Sequence, residues 1–106
     1  MAIIMAVDNL LKGKEVNSGE IVKITGVAEY RLFGFKEEPK SEKLFVPVNY
    51  KGRECEIKLG MKAAKKLADA IGEIDTAKWV GINLLITVVD YDKGPGIQVK
   101  PVLIQG

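Results

Sequence analysis

The chain has 106 residues, 47% of them hydrophobic and 28% charged, a composition typical of one folded globular domain. It contains no histidine, which removes the usual general base and a common zinc ligand, and its single cysteine excludes an intramolecular disulfide. Sixteen basic and fourteen acidic residues give a net charge of only +2, so a site for polyanions requires local clustering of cations. We therefore expect a protein that is not an enzyme and that needs no metal and no cofactor.

The first nineteen residues are predicted to form an arm and a loop ahead of the folded domain. Residues 1–7 are apolar, but they lack a basic leader and reach Asp8 before any cleavage pattern. Two glycines and a polar run within residues 10–19 indicate a loop. No window is long and apolar enough to cross a bilayer. We expect an arm at 1–19, one domain at 20–106, no membrane contact and a cytoplasmic location.

Three strands are predicted before the helix. Residues 21–33 are rich in β-branched and aromatic side chains, and Gly26 within them predicts a bulge or a sharp bend. A polar connection leads to a second strand at 42–48, and a tight turn leads to a third at 53–59. Alternation with polar residues predicts that the following side chains face the core: Leu44, Val46, Val48, Cys55, Ile57 and Leu59.

A helix and two further strands complete the pattern. Residues 61–71 place apolar side chains on one side at helical spacing, and Gly72 predicts the C-terminus of the helix. Strands are predicted at 82–89 and 96–104, joined by a loop at 90–95, and Trp79 is expected to pack between the helix and the sheet. The lysines on the opposite side of the helix are interpreted as a solvated face: Lys62, Lys65 and Lys66.

The order of three strands, one helix and two strands is that of a five-stranded OB-type Greek-key barrel, with the helix between strands three and four. We therefore predict an all-β fold with one helix, in which the helix covers the bottom of the barrel. Barrels of this kind commonly hold oligonucleotides or oligosaccharides on an open face.

Aromatic and basic side chains interleave along the first three predicted strands, a mixture that single-stranded nucleic acids use. Bases stack on exposed rings, while lysine and arginine follow the phosphates. Because Leu44 faces inward, Lys43 and Phe45 are expected to face outward, and we favour the same side for Arg31 and Phe33. A hydrophobic cluster or a dimer contact is an equal interpretation for any one ring. The predicted nucleic-acid-binding residues are Arg31, Phe33, Phe35, Lys36, Lys43, Phe45, Lys51, Arg53 and Lys58.

Most of the chain resembles a known group of small proteins. The segments LGMKAAKKLADAIG at 59–72, TAKWVG at 76–81 and QVKP at 98–101, with LLKGK at 10–14 ahead of IVKITGV at 21–27, carry the resemblance. They resemble small OB-like single-stranded DNA-binding proteins of phage and related mobile genomes. The resemblance implies binding of DNA rather than RNA and a role in replication or recombination.

A second interpretation stays open. The apolar start, an exposed barrel edge and the phenylalanines are also typical of a protein-interaction or assembly module. Its partner is then a sister subunit in a homo-oligomer, or a replication or recombination protein. The near-neutral net charge favours this alternative.

Overall fold

The computed structural model describes residues 10–33, 41–92 and 94–102, which form mostly antiparallel sheet with one α-helix. No helix in these ranges is both long and apolar enough to cross a membrane. Short 3-10 turns cover Gly13–Glu15 and Thr76–Trp79. The strands are β1 (Ile21–Ile24), β2 (Glu29–Phe33), β3 (Ser41–Tyr50), β4 (Arg53–Leu59), β5 (Asn83–Tyr91) and β6 (Gly94–Val102), and the helix α1 (Met61–Ile71) lies between β4 and β5.

The first predicted strand is divided into β1 and β2, so the described sheet has six strands rather than five. The chain bends at residues 25–28, where the Thr25 N–H donates to the Pro47 carbonyl at 3.0 Å. Gly26 approaches Pro47 so closely that an added Cβ would lie 3.2 Å from the proline side chain. The predicted bend at Gly26 is confirmed, and its physical reason is this close approach.

β3 lies at the centre of one half of the sheet. Leu44 pairs with Tyr30 of β2 on one side and with Leu59 of β4 on the other, while Val48 pairs with Ile24 of β1. β1 continues the sheet by pairing with β5, and β5 pairs with β6, all in antiparallel register. Within the described ranges β4 and β6 do not pair, so the sheet does not close into a barrel.

The core lies on one face of this sheet and beneath α1. All six side chains predicted to face inward from the second and third strands are buried, and Ala64 and Leu67 of α1 pack against them. Burial raises the pKa of the Cys55 thiol, as expected for a small hydrophobe. Trp79 is 1% exposed, and its Nε1–H donates to the Glu73 carbonyl at 2.9 Å. The predicted burial of both residues is confirmed.

The predicted bounds of the helix are confirmed. α1 covers Met61–Ile71, and Gly72 ends it in the left-handed region with φ of 82°. The Gly72 N–H donates to the Ala68 carbonyl at 2.8 Å, which satisfies a carbonyl of the last turn. Glycine adopts this conformation without the steric cost that other residues carry.

Residues 10–16, for which a loop is predicted, pack against the sheet and contribute to the core. The Leu11 N–H donates to the Glu56 carbonyl of β4 at 2.8 Å, and Leu11 and Val16 belong to the core. On the other side, an added Cβ on Gly13 would lie 2.5 Å from the Pro95 carbonyl oxygen of β6. This segment therefore contacts both of the strands that do not pair with each other.

The β5–β6 hairpin is longer than predicted. Asp90 pairs with Pro95 and Tyr91 pairs with Gly94, so most of the predicted loop at 90–95 belongs to the strands. Apolar alternation in a sequence marks only the part of a hairpin that covers the core. Residues 90–91 and 94–95 lie at the end of the β5–β6 hairpin that extends beyond the core. The predicted strand end at residues 103–104 falls outside the described residues.

Candidate nucleic-acid interface

The outward face of β2, β3 and β4 carries part of the predicted site. Arg31 pairs with Lys43 across β2 and β3, and Phe45 pairs with Lys58 across β3 and β4. Phe45 is absent from the core cluster, whereas its neighbours Leu44 and Val46 belong to it. The predicted outward direction of Arg31, Lys43 and Phe45 is therefore confirmed by the register.

The prediction that the Phe45 ring is exposed is wrong. The residue is only 4% exposed, and the Arg31 guanidinium lies 4.3 Å from the centroid of its ring. The same guanidinium forms ion pairs with Glu56 and, at 3.4 Å, with Glu29. A long cation from the adjacent strand thus covers the ring through a cation–π contact. Phe45 offers no open surface for a base, and Arg31 already has two carboxylate partners.

Lys51 and Arg53 are also paired with carboxylates. The Lys51 ammonium lies 2.7 Å from the Glu20 carboxylate, and the Arg53 guanidinium lies 3.3 Å from that of Glu15. Hydrogen bonds from Lys51, from the Asn17 N–H and from the Tyr50 hydroxyl lower the pKa of Glu20 to about 2. These two cations attach residues 15–20 to the β3–β4 turn. They are not part of an open cationic patch.

Three predicted residues cannot be placed in the site. Phe35 and Lys36 lie outside the described residues. Phe33 occupies the end of β2, where its backbone pairs with Ser41, and its side chain is also outside what the structure describes. Their predicted role stays a prediction.

A cleft of about 1010 Å³ opens between β4 and β6, where the sheet is not closed. Residues 57–60, at the end of β4 and just after it, line one side, and residues 94–99 line it from β6. Residues 10–14, the first half of α1, Lys43 of β3 and Tyr91 of β5 contribute the rest. No carboxylate occurs among the described residues that line it. Six lysines line the cleft: Lys12, Lys14, Lys43, Lys58, Lys62 and Lys66.

Four different elements bring these lysines together. Lys12 and Lys14 flank Gly13 in the first 3-10 turn, which the Glu15 carboxylate stabilises by accepting from the Lys12 N–H at 2.9 Å. Lys43 and Lys58 come from the outward face of β3 and β4, and both are half-buried. The third pair, on α1, is one helical turn apart.

The α1 pair, Lys62 and Lys66, has an electrostatic cost that a bound anion would offset. Like charges at this spacing destabilise a helix by about 0.2–0.5 kcal/mol. The first turn of α1 contains no acidic residue to compensate, although the positive end of the helix dipole favours one there. The charge distribution at this end of the helix is therefore suited to a negatively charged partner.

Sequence reasoning missed four of the six cleft lysines. The sequence pattern predicts a loop for Lys12 and Lys14 and a solvated helix face for Lys62 and Lys66, and all four are exposed. One available signal was the run of residues 61–68, which contains three lysines and no acidic residue. The convergence of the helix with β3, β4 and the N-terminal turn depends on tertiary contacts that periodicity does not report.

Comparison with known proteins gives no assignment. The chain matches no protein-family model, no curated protein and no solved structure. The resemblance to single-stranded DNA-binding proteins therefore stays a prediction, and the interpretation of the cleft depends on its shape and charge.

Proposed function

We propose that this protein binds single-stranded nucleic acid, DNA by the resemblance described above, in the cleft between β4 and β6. One observation carries the proposal: six lysines and no carboxylate line the cleft in the described part of a chain whose net charge is only +2. Proteins that bind single strands combine a positively charged groove with aromatic side chains on which bases stack. The six lysines give the cleft the first of these features.

We further propose that the fold is OB-like, with an open seam between β4 and β6. Support comes from β1, which pairs with β3 on one side and β5 on the other, and from the position of α1 between β4 and β5. In this arrangement the N-terminal turn lies across the seam and leaves the lysine cleft beside it. Lys43 and Lys58 of the predicted site then contact phosphates, whereas Arg31, Lys51 and Arg53 stabilise the sheet and its loops.

The salt dependence of binding tests this proposal. For single strands, the slope of log K against log salt is about −0.7 per neutralised phosphate, so six lysines give a slope of at most about −4. Fluorescence anisotropy with labelled oligo-dT should show binding that weakens steeply as salt rises. The double variant Lys62→Gln/Lys66→Gln should bind more weakly at low salt, with the slope reduced to about −3.

A matched variant controls for net charge. Lys23 and Lys65 are exposed and do not line the cleft, so Lys23→Gln/Lys65→Gln removes the same charge elsewhere. This variant should show the same slope of log K against log salt as the unmodified protein. Equal losses in the two double variants, or no measurable binding of oligo-dT at low salt, would contradict the proposal.

A second candidate function is assembly through β2. Among the described residues β2 pairs with β3 alone, and three apolar residues in or beside it are exposed: Val27, Tyr30 and Leu32, at 55%, 50% and 68%. An edge strand with exposed apolar side chains is a surface for pairing with another chain. Light scattering would favour this candidate if it showed a dimer that Leu32→Ser dissociates and that oligo-dT does not affect.

A further inference from the structure

Tyr91 occupies a distinctive position in the wall of the cleft. It lies at the end of β5, pairs with Gly94 and is 52% exposed. Its ring packs diagonally across the hairpin on Gly96, where an added Cβ would lie 2.4 Å from the ring atom Cε2. The Tyr91 hydroxyl accepts a hydrogen bond from the Gln98 side chain at 3.1 Å. One part of the ring is thus covered by backbone, and about half of the residue remains accessible.

This arrangement holds an aromatic ring in place before any ligand arrives. Only glycine at position 96 leaves room for the ring, and Gln98 fixes its hydroxyl end. A side chain that is already ordered loses little conformational entropy when another flat group packs on it. Tyr91 therefore has the geometry of a stacking platform, the second feature of single-strand binding sites.

Two carboxylates flank Tyr91 in the sequence. Asp90 and Asp92, its neighbours along the chain, are exposed and do not line the cleft. Their negative charge disfavours a phosphate at this end of the hairpin. Lys43 and Lys62 contribute to the cleft from β3 and α1 rather than from the hairpin that carries Tyr91. The lysines of β3, β4 and α1 thus lie across the cleft from the hairpin that carries the ring, whereas Lys12 and Lys14 belong to the turn that packs on β6 through Gly13.

We infer that Tyr91 stacks on an unpaired base of the bound strand while the lysines of β3, β4 and α1 contact its phosphates. This inference rests on the proposed function and adds the orientation of the bound strand. Its bases face the β5–β6 hairpin and its backbone faces α1. It also assigns a binding role to an aromatic residue outside the first three predicted strands. Because every base has a flat face, such stacking tolerates any sequence but requires an unpaired strand.

The experiment separates the base from the phosphates. Binding of oligo-dT of about ten nucleotides, a length within the site sizes of OB folds, is compared with binding of an abasic strand that has the same number of phosphates. The unmodified protein should bind oligo-dT about tenfold more tightly, which corresponds to about 1.4 kcal/mol of stacking. Tyr91→Leu should lose this preference and leave the affinity for the abasic strand unchanged, whereas Tyr91→Phe should keep it.

Further measurements keep the test decisive. Fluorescence of Trp79, which is buried, reports whether each variant is folded. Gly96→Ala retains the tyrosine but displaces its ring, so it should also reduce the preference for oligo-dT. Equal affinity of the unmodified protein for the two strands, or an unchanged preference in folded Tyr91→Leu, would overturn the inference while leaving the lysine cleft intact. Absence of binding to both strands at low salt would instead overturn the proposed function.

Discussion

Arg31 and Phe45 form a contact on the outward face of the sheet. This contact stabilises the folded protein. The guanidinium covers the ring at 4.3 Å and also forms an ion pair with Glu56 of β4. The ring is thereby removed from water although it lies outside the core cluster. A buried phenylalanine contributes through its apolar area and through the cation above it.

Phe45→Ala should therefore destabilise the protein rather than remove a base contact. We expect the free energy of unfolding to fall by about 3–5 kcal/mol, as for other buried phenylalanines, because a cavity forms and Arg31 loses its ring. Phe45→Leu should cost less. Urea denaturation measures the change, and anisotropy under conditions where each variant is folded should show little loss of affinity for oligo-dT. Unchanged stability together with a tenfold loss of affinity would contradict this account and restore Phe45 as a stacking residue.

At the scale of elements, the turn Gly13–Glu15 connects the two strands on either side of the cleft. It contacts β6 through Gly13 and follows Leu11, which is hydrogen-bonded to β4. The turn also carries Lys12 and Lys14 into the cleft lining. Its position therefore affects both the packing of the seam and the charge within it.

Gly13→Ala should weaken both stability and binding. The new Cβ would lie 2.5 Å from the Pro95 carbonyl oxygen, a backbone atom that cannot rotate away, so the turn must move off β6. Overpacking of this kind costs about 1–3 kcal/mol. The control is Gly60→Ala, another glycine of the cleft, where the nearest atom to an added Cβ is the Lys43 ammonium at 3.8 Å. Thermal denaturation and anisotropy should distinguish the two variants, and equal behaviour would contradict the assigned role of the turn.

The carboxylate of Glu20 connects the segment before β1 to the β3–β4 turn in a pH-dependent way. Its pKa of about 2 lies below the ordinary value of 4.5, so the ionised form stabilises the folded state. This contribution is complete above about pH 4.5 and is lost as the pH falls toward 2. Glu20→Gln should therefore lower the Tm at pH 7, and the difference from the unmodified protein should shrink below about pH 4.5 until most of it is lost at about pH 2.

A second carboxylate variant checks the origin of that effect. Asp69→Asn removes one negative charge from an exposed position of α1 that forms no salt bridge with another described residue. The Tm of this variant should differ little from that of the unmodified protein at every pH between 7 and about 2. A Glu20→Gln difference that persists undiminished at pH 2 would show that the Lys51 and Tyr50 contacts are not its cause.

At the scale of the whole molecule, the cleft and its charge arise only when distant parts of the chain meet. Strand alternation and helical spacing predicted the inward residues of β3 and β4 and the bounds of α1, because those patterns depend on local geometry. The division at Gly26 was also predictable as a bend. The coverage of Phe45 by Arg31 was not predictable, because it depends on which residues are neighbours across two strands.

The lysine cleft was beyond sequence analysis for the same reason. Its lysines come from residues 12–14, from β3, from β4 and from α1, and no single segment contains more than two of them. The overall charge of +2 concealed the cluster, and three other cations predicted for binding are paired with carboxylates: Arg31 with Glu29 and Glu56, Lys51 with Glu20, and Arg53 with Glu15. Which cations converge on one cleft depends on the tertiary structure.

The most direct test is to identify which lysines a bound strand protects. The unmodified protein is acetylated briefly with and without saturating oligo-dT, and mass spectrometry measures the modification of each lysine. We expect protection of the six cleft lysines and unchanged modification of the exposed Lys23, Lys65 and Lys100, which do not line the cleft. Protection of those three, or equal protection over the whole surface, would contradict the assignment of the cleft as the binding site.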